Sequence, residues 1–388
     1  MQMTRNNTGI DPSRSTFATE GQGLSRRAFV TGAMGAAIGA GALGAPAIAQ
    51  GNQDVVVLSW TSYITPQIVA IMREHGLNVR GVPAATDADM FTKLKAGGAS
   101  AYDIVWGNCG WAPTYHKAGL IEPFDPKSIS GSDQIWSEFI EHSGLPYVLE
   151  DKKILLLPNS WDSYGLIWNT DKYQPTDPIS WNALWDENVP KGKVMMRDSP
   201  EDFLAISGLA LGVSRDEIYA MTGDRLMQAA RHLADLKPFQ IAAGEEMFID
   251  ALRSGKAWLG QCSNLAMSAR LNRMQGREQT KAVIPAEGSL GWVDGPMLVS
   301  GARNRDAALR YLEVWNSLEL QEYLYETYGF PPCSRAATQN ILEAGGDGAQ
   351  LLKDRGADKP DAALKLLFVG PPDNPGEWAR AYTEVVGG

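Results

Sequence analysis

The sequence predicts an α/β protein built as two lobes, and three observations carry that reading. From residue 55 onward, short apolar runs alternate with amphipathic stretches in the order βαβαβα, which gives a parallel sheet covered by helices. A second series of strands and helices begins near residue 155. The 388-residue chain also leaves about 339 residues after position 49, more than a single core usually serves.

Residues 55–59 form a β-branched run that reads as the first strand. Residues 66–75 read as a helix, with Pro66 in its first turn, Ile68, Ile71 and Met72 on one face, and Gly76 beyond its end. Residues 78–82 are the next strand. Residues 87–96 are the next helix, with Met90, Phe91 and Leu94 at helical spacing and Gly97-Gly98 as a stop. Residues 102–106 read as a buried strand ending at Gly107-Asn108, and 114–118 as a short helix. Two strands within 155–169, the second over 165–169, carry the chain into the second unit. There "ISWNALWDENVPKGKVMMRDSPEDF" supplies a helix, a turn and a strand over 193–196. Helices run through Leu236, and 257–262 is a strand. Residues 281–285 and 296–300 read as strands around a turn at 291–294. A strong helix over 305–318 turns Ala307, Leu309, Tyr311, Leu312 and Trp315 inward. The glycines of 344–348 mark the most flexible stretch.

The start of the chain contains a tempting motif. Gly39-Ala-Gly41-Ala-Leu-Gly44 spells the G-x-G-x-x-G of dinucleotide-binding loops. Such a loop needs a buried strand before it and an acidic residue at the end of a second strand after it. Here Gly-Leu-Ser-Arg-Arg precedes it and no βαβ unit brackets it. An export leader over 1–49 fits every part: Arg26-Arg27, a mildly apolar stretch over 29–43, and Ala47-Ile-Ala49 for cleavage before Gln50. Ser25-Arg-Arg-Ala-Phe29-Val30 resembles a twin-arginine signal, so the expected address is the periplasm. No later run has the roughly 18 apolar residues that a membrane span needs.

Residues 1–49 hold four basic and two acidic residues, so the rest carries 31 Lys and Arg against 43 Asp and Glu, a net charge of −12. That argues against nucleic acid or an anionic membrane as partner and weakly favours cationic ligands. Four histidines stand without metal-ligand spacing, and H-E-x-x-H, G-x-S-x-G and C-x-x-C are missing. An enzyme therefore lacks a visible nucleophile or metal site, and no cofactor is expected.

From Trp60-Thr-Ser-Tyr63 onward the chain resembles the periplasmic spermidine/putrescine-binding proteins of ABC importers. "SWTSYITP", "FTKLKAGGASAYDIVWGN", "HKAGLIEPFD", "ISWNALW", "GKVMMRDSPEDF", "GWVDGPMLV" and "YGFPP" carry the likeness, through their order and spacing. The resemblance implies a type II periplasmic-binding-protein fold. One lobe would hold 50–160 and 294–343, the other 161–293 and 344–388, with a solute clamped between them. It implies a small cationic solute and an inner-membrane permease as partners of a monomer. It also implies site residues. Trp60 and Tyr63 fall on an aromatic wall, and Asn108 on a polar position after a buried strand. Asp198 and Glu201 fall on an acidic pair, and Trp292 and Asp294 on a ring and a carboxylate across the cleft. Phe330 stands where the family has a hydroxylated ring. The chain lacks the family's ring near Ser263-Asn264, has Trp111 beside the aromatic position at Gly110, and has Ser62 where an acid occurs. A cation shorter or bulkier than spermidine is in keeping with that loss of rings.

Elementary physics supports the same residues. Ligand clefts of open α/β sheets lie beyond the carboxyl ends of strands. A dry ammonium needs a carboxylate, and a cation on a Trp face gains about 2 kcal/mol. Competing readings stand beside these. Asp198-Ser-Pro-Glu201 also reads as a near capping box, with Pro at N2. Asp294-Gly295 also reads as turn chemistry, and Trp60 as a cap on the core. Trp161, Trp181 and Trp185 read as packing residues. Cys109, Cys262 and Cys333 fall in loops near the cleft and read as small buried hydrophobes before they read as a metal site or a disulfide. Another amine, a thiamine-like cation, an amino-acid derivative or an organic acid would suit the same fold, and an exported enzyme is the alternative of another class.

Overall fold

Strand β1 (Gln53–Ser59) opens the first sheet because Val55, Val57 and Leu58 find burial there. The structure, a computed structural model, describes residues 53–387 except 243. The expected leader lies outside them. Helix α1 (Pro66–Glu74) starts with Pro66 just inside its first turn and the Thr65 hydroxyl capping the Ile68 amide. It leads to β2 (Leu77–Pro83), which pairs with β1 in parallel, Val55 opposite Val79. Helix α2 (Asp87–Gly97), capped by Thr86, and β3 (Ile104–Asn108), parallel to β1, complete the βαβαβ unit. Short helices α3 (Ala112–Lys117) and α4 (Ser137–Ile140) precede β4 (Ser160–Ser163).

The chain then crosses at Tyr164 into a second sheet. This sheet holds β5 (Gly165–Asn169), β6 (Val194–Arg197), β7 (Gln240–Ala242), β8 (Leu259–Cys262) and β9 (Thr280–Val283), in the order β7-β6-β8-β5-β9. Helices α5 (Pro200–Ala210), α6 (Gly223–Asp235), α7 (Glu245–Arg253) and α8 (Ala266–Gln275) accompany it. Residues 181–185, expected as a helix, form a single 3-10 turn.

The return crossing delivers β10 (Leu290–Leu298) to the first sheet. Residues 291–294, expected as a turn, lie inside this nine-residue strand. Gly, Asp and Pro locally favour a turn, but pairing on both edges overrides them: Val293 faces Trp161 of β4, and Gly295 faces Gly107 of β3. Helices α9 (Arg305–Trp315) and α10 (Leu318–Tyr328) replace one expected helix, with Ser317 capping the second. Helices α11 (Arg335–Ala344) and α12 (Gly346–Asp354) meet at Gly345, whose φ of 71° suits glycine.

The segment 344–388, expected with the second lobe, divides its contacts. Strand β11 (Leu367–Phe368) pairs with β10 in the first sheet. Arg355, just past α12, forms a 2.7 Å ion pair with Asp162 of β4. Helix α13 (Pro375–Ala381) then packs on α5 and α6 of the second lobe.

The first core is aromatic. The Tyr63 ring stacks on Trp106 at 3.9 Å, Trp315 meets Trp106 edge-on at 4.7 Å, and the Trp106 indole donates to the Tyr311 hydroxyl at 2.9 Å. Trp161 and Trp181 are buried, and Trp185 stacks on His232 at 4.0 Å. A side chain at Gly295 would overlap the Leu157 carbonyl oxygen. Gly295→Ala is therefore expected to cost about 1–3 kcal/mol, read as a lower urea midpoint at unchanged slope.

Candidate functional site

Three ionisable side chains act on one another: Asp294 and Asp87 of the first sheet's side and Arg197 at the end of β6 in the second. Asp294 lies on β10 with Asn108 opposite on one edge and Ser160 on the other. Its carboxylate accepts from the Tyr63 hydroxyl at 3.1 Å and from Asn108 Nδ2 at 3.5 Å. Asp87, the first residue of α2, accepts from the Asn108 amide at 2.9 Å. One short strand end thus holds two acids, through its backbone and its side chain. Arg197 ends β6 and comes from the facing lobe. All three are half-buried and keep some accessible surface.

Burial and mutual repulsion set the charges. Desolvation drives the Asp294 carboxyl well above the ordinary carboxylate range, and Asp87 pushes it further. Desolvation lifts Asp87 to about 7, partly opposed by the Asn108 amide and by Arg197. Burial works against the Arg197 charge, but Tyr164, Asp202 and Glu245 outweigh it and raise its pKa. Tyr63 is held far above its usual pKa, first by burial and then by Asp294, so it stays a donor.

The predicted residues do not all gather. Trp60, Tyr63, Trp292 and Phe330 form one aromatic group. The Trp60 and Tyr63 rings are 6.0 Å apart, Tyr63 and Phe330 6.4 Å, and Trp292 and Phe330 5.2 Å at 82°. Asn108 and Asp294 join it. Asp198 instead is exposed and lies beside Tyr382, and Glu201 is half-buried on α5. The buried acid of that stretch is Asp202, which accepts from the Tyr164 hydroxyl at 3.1 Å. Desolvation raises it to about 6 against the pull of Arg197. The one-residue slip has a cause. Pro200 takes the N1 position, so Ser199, not Asp198, is the N-cap.

Asp87, Arg197 and Asp202 were not expected from sequence. Asp87 reads as a helix start and Arg197 as the solvated end of an apolar strand. Their one visible signal is position, since each sits at a strand's carboxyl end or the helix that follows it.

The lobes touch beside the site. The Trp292 indole donates to the Ser263 carbonyl at 2.7 Å. Glu245 pins that loop through the Ser263 hydroxyl at 2.9 Å and Asn264 at 2.6 Å, and pairs with Arg270 at 2.7 Å. The Arg270 guanidinium in turn lies 5.6 Å over the Tyr328 ring. Cys109, Cys262 and Cys333 are free, buried thiols raised by desolvation. Among the described residues no cluster of His, Cys, Asp and Glu could hold a metal ion.

With this geometry in place, known proteins can be compared. The profile of a family described as bacterial extracellular solute-binding protein matches residues 67–345. The spermidine/putrescine-binding periplasmic protein of Escherichia coli K12 is 25% identical over 304 residues, 78% of this chain and 84% of the relative. A putrescine/cadaverine-binding protein of Pseudomonas aeruginosa is 20% identical over 275 residues, 67% and 74% of the two chains. A spermidine/putrescine ABC transporter substrate-binding protein from Streptococcus pneumoniae superposes with a TM-score of 0.64 at 21% identity, covering 86% and 97%. The fold is the two-lobed type II arrangement.

The Asp87 shift makes stability depend on pH with a definite sign. A carboxyl raised by folding keeps its proton when the unfolded chain has lost it. Its contribution is therefore complete below the unfolded value near 3.8 and is lost as pH rises through about 7. Thermal unfolding of the ligand-free chain from pH 4 to 8 is expected to show this fall, and Asp87→Asn to flatten it.

Proposed function

The chain belongs to the bacterial extracellular solute-binding protein family, and from that premise we propose that it captures a small organic cation between its lobes for an ABC importer. One observation carries the reading: Asp87 and Asp294 both bond Asn108 at the end of β3, burial keeps both protonated well above the usual range, and Asp87 pushes Asp294 further. An ammonium group placed between them would let both ionise and would gain charge-assisted hydrogen bonds from both. Trp60 and the edge of the Tyr63 group supply faces for the cation and its methylenes. The names of the curated relatives put polyamines first among such cations.

Closure would bring Arg197 and the Ser263 loop onto the first lobe, and the Trp292 hydrogen bond would hold the closed form. The closed receptor would be handed as a monomer to an inner-membrane permease. Among the described residues no helix is long and apolar enough to cross a membrane. The leader over 1–49 would direct export to the periplasm. Changing Arg26 and Arg27 together to Lys should hold a twin-arginine substrate in the cytoplasm, as cell fractionation with an antibody would show. Export at the normal level would remove that route.

Calorimetry on the full chain with putrescine, spermidine and matched organic acids tests the ligand. An amine should bind and Asp294→Asn should weaken it by at least about a hundredfold. Since Asp87 holds its proton up to about pH 7, amine binding must expel it, so affinity should rise from pH 5 to 8, up to about tenfold per unit. Binding of an acid without any amine group, and of no amine, would overturn the proposal.

A further inference from the structure

The half-buried Arg197 guanidinium has more hydrogen-bonding capacity than the protein uses. Its one hydrogen bond among the described residues runs from Nη1 to the Tyr164 hydroxyl at 3.0 Å, and its guanidinium lies 5.7 Å from that ring. Among the described residues it makes no ion pair with a carboxylate within 4.0 Å, although Arg270, Arg277 and Arg355 each do. Asp202 and Glu245 favour its charge from beyond ion-pair distance, and Tyr164 links it to Asp202, its hydroxyl donating to Asp202 and accepting from Arg197. A guanidinium carries five donors in a flat fork that fits a carboxylate with two parallel bonds. The remaining donors of the Arg197 fork have no protein acceptor among the described residues and can serve a ligand.

Arg197 also stands in the right place. It ends β6 of the second lobe and acts electrostatically on both Asp87 and Asp294 of the first. It keeps accessible surface. The cleft therefore has a carboxylate end and a guanidinium end on opposite lobes. A plain diamine satisfies the first and is repelled by the second. The acidic side chains that sequence places opposite, Asp198 and Glu201, do not take that position: one is exposed and the other half-buried on α5.

We propose that Arg197 is a specificity-determining residue that binds an anionic group on the ligand, so that the captured solute is an amine that also carries a carboxylate. This rests on the reading of Asp87 and Asp294 as the ammonium site and adds the opposite end. The ammonium would lie at Asn108 between the two acids, and the carboxylate would lie against the free edge of the guanidinium. Charge then balances across the closing lobes, since each end of a zwitterion meets its opposite.

Calorimetry on the full chain at pH 8 with length-matched pairs, α,ω-diamines against ω-amino carboxylates of two to six carbons, tests it. At one length the amino carboxylate should bind at least about tenfold more tightly than the diamine. Arg197→Gln should reverse that preference, losing the amino carboxylate by about a hundredfold while the diamine gains. Arg197→Lys should keep part of the preference, since it keeps the charge and loses the fork. A purely structural Arg197 would change the melting temperature of the ligand-free chain and leave the preference as it was, which overturns the inference. Tighter diamine binding in the unaltered chain also overturns it while leaving the ammonium site standing. Binding of neither kind of amine overturns both.

Discussion

The binding face depends on one register: Asp294 opposite Asn108 on one edge of β10 and opposite Ser160 on the other. A strand slipped by one residue would turn Asp294 to the opposite face of the sheet and put Val293 or Gly295 in its place. The register is fixed from several sides. Gly295 leaves space only for the Leu157 carbonyl, and β11 closes the start of the strand. Tyr63 then reaches both Ser160 and Asp294, at 3.2 and 3.1 Å, while its ring is clamped on Trp106. The core and the site thus share one side chain. Loosening the aromatic stack would release the donor that fixes the acid.

The lobes meet through few but directed contacts. Trp292 and Tyr328 of the first lobe find a carbonyl and a guanidinium of the second. The proposed ammonium site draws on the first lobe, through Asp87, Asn108 and Asp294. What the second lobe contributes is charge at the end of β6. A ligand that touches both charges supplies the differential affinity that closure requires.

The alternation of strands and helices was legible in the sequence, because apolar runs and glycine stops recur at regular intervals. The aromatic wall of Trp60 and Tyr63 was expected through resemblance, but Trp292, expected across the cleft in the second lobe, lies on β10 of the first sheet against Phe330. The strand through residues 291–294 was not legible, because glycine, aspartate and proline favour a turn and only pairing on both edges overrides them. Asp202 was missed by the position of one proline, which moved the helix cap to Ser199. Asp87 and Arg197 were missed because a helix start and a strand end look like solvated positions in one dimension. Only the assembled fold brings Arg197 near enough to act on Asp87.

The order in which the chain supplies these parts has a consequence for its making. Strands β1, β2 and β3 are complete by residue 108, but the strand that carries Asp294 arrives only after the whole second sheet has been threaded. A chain cut between residues 108 and 290 therefore holds Asp87 and Asn108 with an open edge on β3, and lacks Asp294. Unpaired sheet edges invite pairing with other chains. The same insertion that lets two lobes close on a solute obliges the first lobe to wait for its own centre.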